Sequence, residues 1–263
     1  MKQRVKTLSL LLAGILTLGL LAGCGGDAPA NNSTPAPDAG ADASTQQPTG
    51  SDKLVIYSPA TEGQINAIIP LFEEKTGIEV EVITGGTGEL LARVDAEGAN
   101  PYADVIFGGG ESSYAEYKHI FQDYVSPEDE NVIEEFRNTL GYCTNYCLDS
   151  SIFIVNTDLV GDIEIKGYMD LLNPELKGRI SMPDPTASSS AMMHIETLLS
   201  DFGGLSLENQ EGWDIVRQLV ANLDGKLASG SSAAWKAVAD GEMVVALSYE
   251  EAGIILSRDG APV

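Results

Sequence analysis

The chain has 263 residues, 43% of them apolar, and carries 39 Asp and Glu against 15 Lys and Arg, a net charge of −24. So negative a field argues against nucleic acid as a partner and against electrostatic attachment to anionic lipids. A small anionic ligand stays open to it, because local backbone dipoles outweigh distant charges that salt screens over roughly 8 Å.

Lys2, Arg4 and Lys6 precede an apolar run from Leu8 to Leu20, which closes in Leu21-Ala22-Gly23-Cys24. A cationic start, about 13 mostly apolar residues and a small-residue cleavage site make a secretory signal over residues 1–23, too short for a bilayer crossing. Cysteine directly after Leu-Ala-Gly resembles a bacterial lipoprotein lipobox. That resemblance implies that Cys24 is lipidated, becomes the mature N-terminus and holds the protein outside the cytoplasm on the cell membrane. Three of the 15 basic residues lie in the signal and all 39 acidic ones beyond it, so its removal deepens the charge from −24 to −27. Residues 24–52 follow with Gly, Ala, Pro, Asn, Ser, Thr, Gln and Asp and no aromatic or large aliphatic side chain. Such a stretch cannot bury enough apolar surface to fold, and reads as a flexible tether.

About 210 residues remain, enough for two lobes with cores of their own. Lys53 to Ser58 is a β-branched, apolar strand, and Glu62 to Thr76 places Ile65, Ile68, Ile69 and Phe72 at helical spacing up to Gly77. The alternation continues with a strand over Ile78–Ile83, a helix over Thr87–Glu97, a strand over Ala103–Phe107 and a helix over Ser112–Phe121. An extended stretch from Tyr142 to Asn156 is expected to cross from a first lobe, 53–141, into a second, 142–263. There the pattern predicts strands over Gly178–Met182 and Met243–Ser248, with helices over Ser188–Phe202, Gln210–Leu223, Ser231–Asp240 and Glu251–Arg258. Strand and helix in alternation give an α/β fold with mainly parallel sheets covered by helices. Gly260-Ala261-Pro262-Val263 reads as the opening of a further strand, so a C-terminally truncated chain is expected.

The strand ends lead into small, hydroxyl-rich loops that start helices. They hold Ser58, Thr61 and Glu62; Thr87 and Gly88; Gly109, Gly110 and Ser112; Thr186 and Ser188; and Ser231. In an open sheet such loops gather outside the carboxyl ends of the strands, where ligands bind. Helix starts supply free N–H donors and partial positive charge, glycine admits an oxyanion to the backbone, and Ser or Thr adds a donor. Singly, each residue is an ordinary cap. The repetition at successive strand ends points to a phosphate, phosphonate or carboxylate.

A catalytic reading finds little to stand on. There is no Gly-x-Ser-x-Gly elbow, His119 and His194 fall inside predicted helices, and Glu250 and Glu251 read as a solvated helix start. No enzyme and no cofactor are expected. Cys143 and Cys147, four residues apart in an extended run, would hold their Cα atoms roughly 13 Å apart, beyond the roughly 7 Å limit of a disulfide. Free thiols are expected, and with two histidines in all no metal site is.

Leu-Phe-Glu-Glu-Lys-Thr-Gly-Ile (71–78), Gly-Gly-Thr-Gly-Glu-Leu-Leu-Ala-Arg-Val (85–94), Asn-Pro-Tyr-Ala-Asp-Val-Ile-Phe-Gly-Gly-Gly (100–110), Leu-Leu-Asn-Pro-Glu-Leu-Lys-Gly-Arg-Ile (171–180), Asp-Pro-Thr-Ala-Ser-Ser-Ser (184–190) and Lys-Ala-Val-Ala-Asp-Gly-Glu (236–242) together resemble the extracellular solute-binding receptors of ABC importers, in the branch labelled iron(III) transport. The resemblance implies a two-lobed clamshell, a monomer, that closes on a small anionic solute and delivers it to a membrane permease, with a chain that normally returns to the first lobe. Iron receptors of this branch use a histidine after the first strand, a glutamate after the third and two adjacent tyrosines. The matching positions here are Thr61, Gly109, and Tyr249 followed by Glu250, so for iron only Tyr249 and Glu250, or Glu111, offer oxygen ligands. The hydroxyl and glycine loops look more like the members that bind sugar phosphates or phosphonates. Glu62 and Glu250 would then meet an amine or hydroxyl of the ligand.

Overall fold

A computed structural model describes residues 53–263; the signal, Cys24 and the tether lie outside the described residues. The first sheet has strand β1 (Lys53–Ser58) between β2 (Glu79–Thr84) and β3 (Val105–Ile106), all parallel, with Lys53 opposite Glu79 and Ile56 opposite Val105. Helix α1 (Glu62–Thr76) makes the crossover from β1 to β2, and α2 (Thr87–Glu97) that from β2 to β3. Thr61 caps α1 by accepting the Gln64 N–H at 3.2 Å, and Gly77 ends it at φ 73°, a backbone state a β-carbon disfavours. Tyr57, Leu90, Val94 and Ala103 are buried between sheet and α2. No residue of α1 is buried, and Ile68 and Leu71 on it are exposed.

The expected helix from Ser112 to Phe121 breaks in two: α3 (Glu111–Tyr114) runs into a 3-10 turn over Ala115–Ile120, where Tyr117 leaves helical geometry at φ −108° and ψ 18°. Tyr114, Tyr117 and Ile120 all pack into one cluster with Leu91, Phe121 and Tyr142. Residues three apart line up on a 3-10 edge but not on an α-helix, so the tighter winding brings all three inward. Of the expected extended stretch over 142–156 only β4 (Ser151–Val155) is strand, and 143–150 is irregular.

The second sheet has the order β4, β6 (Val245–Tyr249), β5 (Ile180–Ser181). Here the expectation of a mainly parallel sheet needs correction. β5 runs parallel to β6, but the longer pairing, Ser151 opposite Tyr249 through Val155 opposite Val245, is antiparallel. β4 is fed by the irregular segment and not by a crossover helix, so nothing imposes the parallel direction. β6 is apolar on both faces because both are covered. Val245 and Leu247 face α4 (Ser189–Asp201) and α5 (Gln210–Asn222), among Ala191, Leu198 and Leu219. Ala246 faces α6 (Ser231–Ala239) and α7 (Glu250–Arg258), with Val238, Ala252 and Leu256. Each fully buried leucine here contributes about 1.5–3 kcal/mol. Gly253 lets α7 lie close to β4, since a β-carbon on it would stand 2.8 Å from Ile152. Residues 261–263 are not strand, although the Thr157 N–H donates to the Pro262 carbonyl at 2.8 Å.

Candidate functional site

Each hydroxyl has one proton to give, and several of the expected donors direct theirs to acceptors within the chain. Ser58 Oγ donates to the Phe107 carbonyl at 2.7 Å and accepts the Ala60 N–H, so it ties the loop after β1 to the loop after β3. Thr61 Oγ1 donates to Glu251 Oε1 at 2.9 Å, Thr186 Oγ1 to Asp184 Oδ1 at 2.7 Å, and Thr87 Oγ1 to Ser189 Oγ at 3.0 Å. Four of the expected ligand donors are thus committed to acceptors within the chain.

The glycine loops bring the two sheets' helix starts into contact. The Gly88 N–H donates to the Ala187 carbonyl at 3.1 Å. A β-carbon on Gly88 would lie 2.0 Å from the Thr186 oxygen, and one on Gly86 2.6 Å from the Ala187 oxygen. Gly108 and Gly109 sit at φ 105° and 87°, and a β-carbon on Gly109 would meet Thr87 and the Tyr114 hydroxyl at 2.9 Å. That hydroxyl donates to the Gly108 carbonyl, and burial raises the Tyr114 pKa well above the usual phenol range. Gly110 precedes α3 and faces Ser189.

Ser188, Ser190 and Ser231 form a triangle of hydroxyls with Oγ separations of 2.9, 2.9 and 3.1 Å. Ser188 caps α4, Ser190 lies in its first turn, and Ser231 opens α6. Two helix starts therefore converge on three neutral donors, and Ser189, accepting from Thr87 beside them, keeps its own proton to give. An anion over this triangle would exchange hydrogen bonds between neutral groups for charge-assisted ones, roughly twice as strong.

The other expected residues stand apart from that triangle. Ser112 and Glu62 are exposed, and Glu111 accepts from Thr139 at 2.7 Å and Asn145 at 3.0 Å. Glu250 is exposed as well, its N–H donating to Asp149 Oδ1 at 3.0 Å. The Tyr249 hydroxyl accepts from Trp235 Nε1 at 3.4 Å, and burial raises its pKa. Among the described residues no three His, Cys, Asp or Glu side chains are grouped closely enough to hold a metal ion. His194 is buried with both nitrogens bonded, to the Ser248 carbonyl and the Tyr168 hydroxyl at 2.8 Å each, while His119 lies at the surface 2.6 Å from Asp95. Cys143 and Cys147 are free thiols.

Sequence reasoning named neither Ser189 and Ser190 individually nor Gln64, Tyr146 and Asp149, and it took Glu251 only as a solvated helix start. The three-serine run was the available signal for the first two. Nothing in the sequence distinguishes Glu251 from Glu250, since which of two adjacent carboxylates faces inward depends on where α7 begins.

Comparison with known proteins agrees with the fold. The model of a family described as bacterial extracellular solute-binding protein matches residues 67–256. A probable ABC transporter periplasmic-binding protein of Sinorhizobium fredii is 26% identical over 206 residues, covering 77% of this chain and 56% of that protein. Iron uptake protein A1 of a Synechocystis species is 27% identical over 81% of this chain and 59% of its own length. Among solved structures, the periplasmic binding protein AfuA of Actinobacillus pleuropneumoniae, with fructose-6-phosphate bound, superposes with a TM-score of 0.68 at 26% identity, over 80% of this chain and 67% of that one. The chain spans about six-tenths of the length of the curated relatives it matches.

Proposed function

The chain belongs to the bacterial extracellular solute-binding protein family, and on that footing we propose that it captures a small phosphorylated or phosphonate-bearing organic anion and hands it to the membrane permease of an ABC importer. The observation that carries this reading is the Ser188–Ser190–Ser231 triangle at the starts of α4 and α6. Neutral donors at two helix starts suit an oxyanion, with no cationic clamp needed. The fructose-6-phosphate bound to AfuA supports the ligand class. The receptor works as a monomer outside the cytoplasm, anchored through Cys24, and returns its ligand chemically unchanged.

Thermal shift with inorganic phosphate, fructose 6-phosphate, aminoethylphosphonate, simple carboxylates and Fe(III) tests it. A ligand at about 100 times its dissociation constant adds roughly 2.7 kcal/mol of stability. A rise with a phosphorylated or phosphonate compound, diminished in Ser231→Ala, is expected; recovery of a converted product would turn the reading toward an enzyme. Cys24→Ser should release the protein from membranes.

Iron is the second reading, favoured by the name of the Synechocystis relative and by Tyr249. It ranks lower because burial opposes ionisation of the Tyr249 phenol and, among the described residues, no three acidic, His or Cys side chains are grouped to hold a metal ion. A shift with Fe(III) alone, abolished in Tyr249→Phe, would reverse the order.

A further inference from the structure

Glu251 makes a two-point contact between the two halves of the fold. Its Oε1 accepts from Thr61 Oγ1 at 2.9 Å and its Oε2 from Gln64 Nε2 at 3.0 Å, so one carboxylate on α7 closes on the first turn of α1. The orientation of the Gln64 amide is fixed independently. Its oxygen accepts from the Tyr146 hydroxyl at 3.2 Å, and the Tyr146 ring stacks on Phe107 with centroids 5.0 Å apart. With the oxygen turned to Tyr146, the amide NH2 must face Glu251. The start of α7 has its own acceptor, because Asp149 Oδ1 takes the Glu250 and Glu251 N–H groups at 3.0 and 3.4 Å. The Glu251 side chain is therefore not needed to cap its own helix, and its charge is directed to the positive end of α1.

We propose that Glu251 is a positioning residue, a latch that holds α1 against α7 and so keeps the serine triangle and the α2 start apposed. The latch sets what fraction of molecules is in the binding-competent pairing, and apparent affinity scales with that fraction. Its ligand arm rests on the receptor reading above; its compaction arm does not.

The test uses the full chain with Glu251→Ala, Gln64→Ala and the double variant. Small-angle scattering with no ligand added should show a larger radius of gyration in each. Amide exchange should quicken at Gln64, Ile65, Glu250 and Glu251. The double variant should open by less than the sum of the two single ones, since the Gln64–Glu251 bond is lost in both. Fructose 6-phosphate, the probe for the ligand arm, should bind about tenfold more weakly in Gln64→Ala, which loses one hydrogen bond to the carboxylate, and more weakly still in Glu251→Ala, which loses two, mainly through faster dissociation. Unchanged compaction and exchange in Glu251→Ala overturns the latch, as does an additive double variant or tighter binding without the carboxylate. If the parent chain takes up no fructose 6-phosphate, the ligand reading falls and the compaction measurements alone decide on Glu251.

Discussion

Thr87 Oγ1 donates to Ser189 Oγ at 3.0 Å, so the first residue of α2 is bonded directly to the first residue of α4 on the other sheet. This contact forms because Gly86 and Gly88 flank Thr87. A side chain at position 88 would need the space of the Thr186 carbonyl, 2.0 Å away. Gly88→Val should therefore hold the two sheets apart without disturbing the interior of either. Overpacking of this kind costs about 1–3 kcal/mol, so a 5- to 150-fold loss of ligand affinity is expected with little change in melting temperature. Calorimetric titration beside a melting curve checks it, and a variant that binds as tightly as the parent would show that the apposition is not needed.

The serine triangle makes a graded prediction. Removing one of three hydroxyls that turn toward an anion forfeits a charge-assisted hydrogen bond, worth about 1.5–3 kcal/mol. Ser188→Ala, Ser190→Ala and Ser231→Ala should each weaken a phosphorylated ligand by about 10- to 150-fold, with Ser188→Ala also costing about 1 kcal/mol of stability as the α4 cap. Ser112→Ala, at an exposed position outside the triangle, should leave affinity unaltered. Equal losses at Ser112 and Ser231 would displace the site from the starts of α4 and α6.

The regular elements were legible because their signals are local. α1 is bounded by Thr61 and Gly77 as its cap and αL glycine require, and α2, α4, α5 and α6 follow the apolar spacing to within a residue or so. Strand direction was not legible for β4, because pairing with β6 some ninety residues later leaves no mark in either segment. The loops that carry the candidate donors were legible as helix starts. The partners of their hydroxyls were not, since nothing in the sequence ties Ser58 to Phe107 or Thr61 to Glu251. Which hydroxyls stay available is settled by contacts between distant loops, to which one sequence gives no access.

The two thiols allow a chemical check on the irregular segment 143–150. Burial pushes the Cys143 thiol up to about 11, and the Cys147 thiol is also raised by burial. Little of either is thiolate at pH 8, and the thiolate is the nucleophile. Alkylation of the native protein at pH 8 should be slow at Cys143, whereas unfolded and unreduced protein should take up label at both. A mass lower by two hydrogens and no uptake would mean a bridge and a different course for the segment.

His194 sets a pH dependence of stability whose sign follows from its burial. The ring is 1% exposed, packed against Phe153 and Tyr168, and desolvation lowers its pKa from 6.5 to about 4. Because a carbonyl can only accept, the Nε2 bonded to Ser248 carries the proton, and Nδ1 accepts from Tyr168. Above pH 6.5 both folded and unfolded chains hold a neutral imidazole, and the site contributes its full stability. Between pH 6.5 and 4 the unfolded chain binds a proton that the folded chain refuses, so stability drops as the pH is lowered across that window. The loss approaches roughly 3 kcal/mol once the pH is below the folded-state value. Urea midpoints measured from pH 7.5 to 4.5 should decline in the parent chain and decline less steeply in His194→Gln, which gives up a ring but no titrating group replaces it. Parallel slopes in the two proteins would mean that His194 is already charged in the fold, and the Ser248 and Tyr168 contacts would then have to be reassigned.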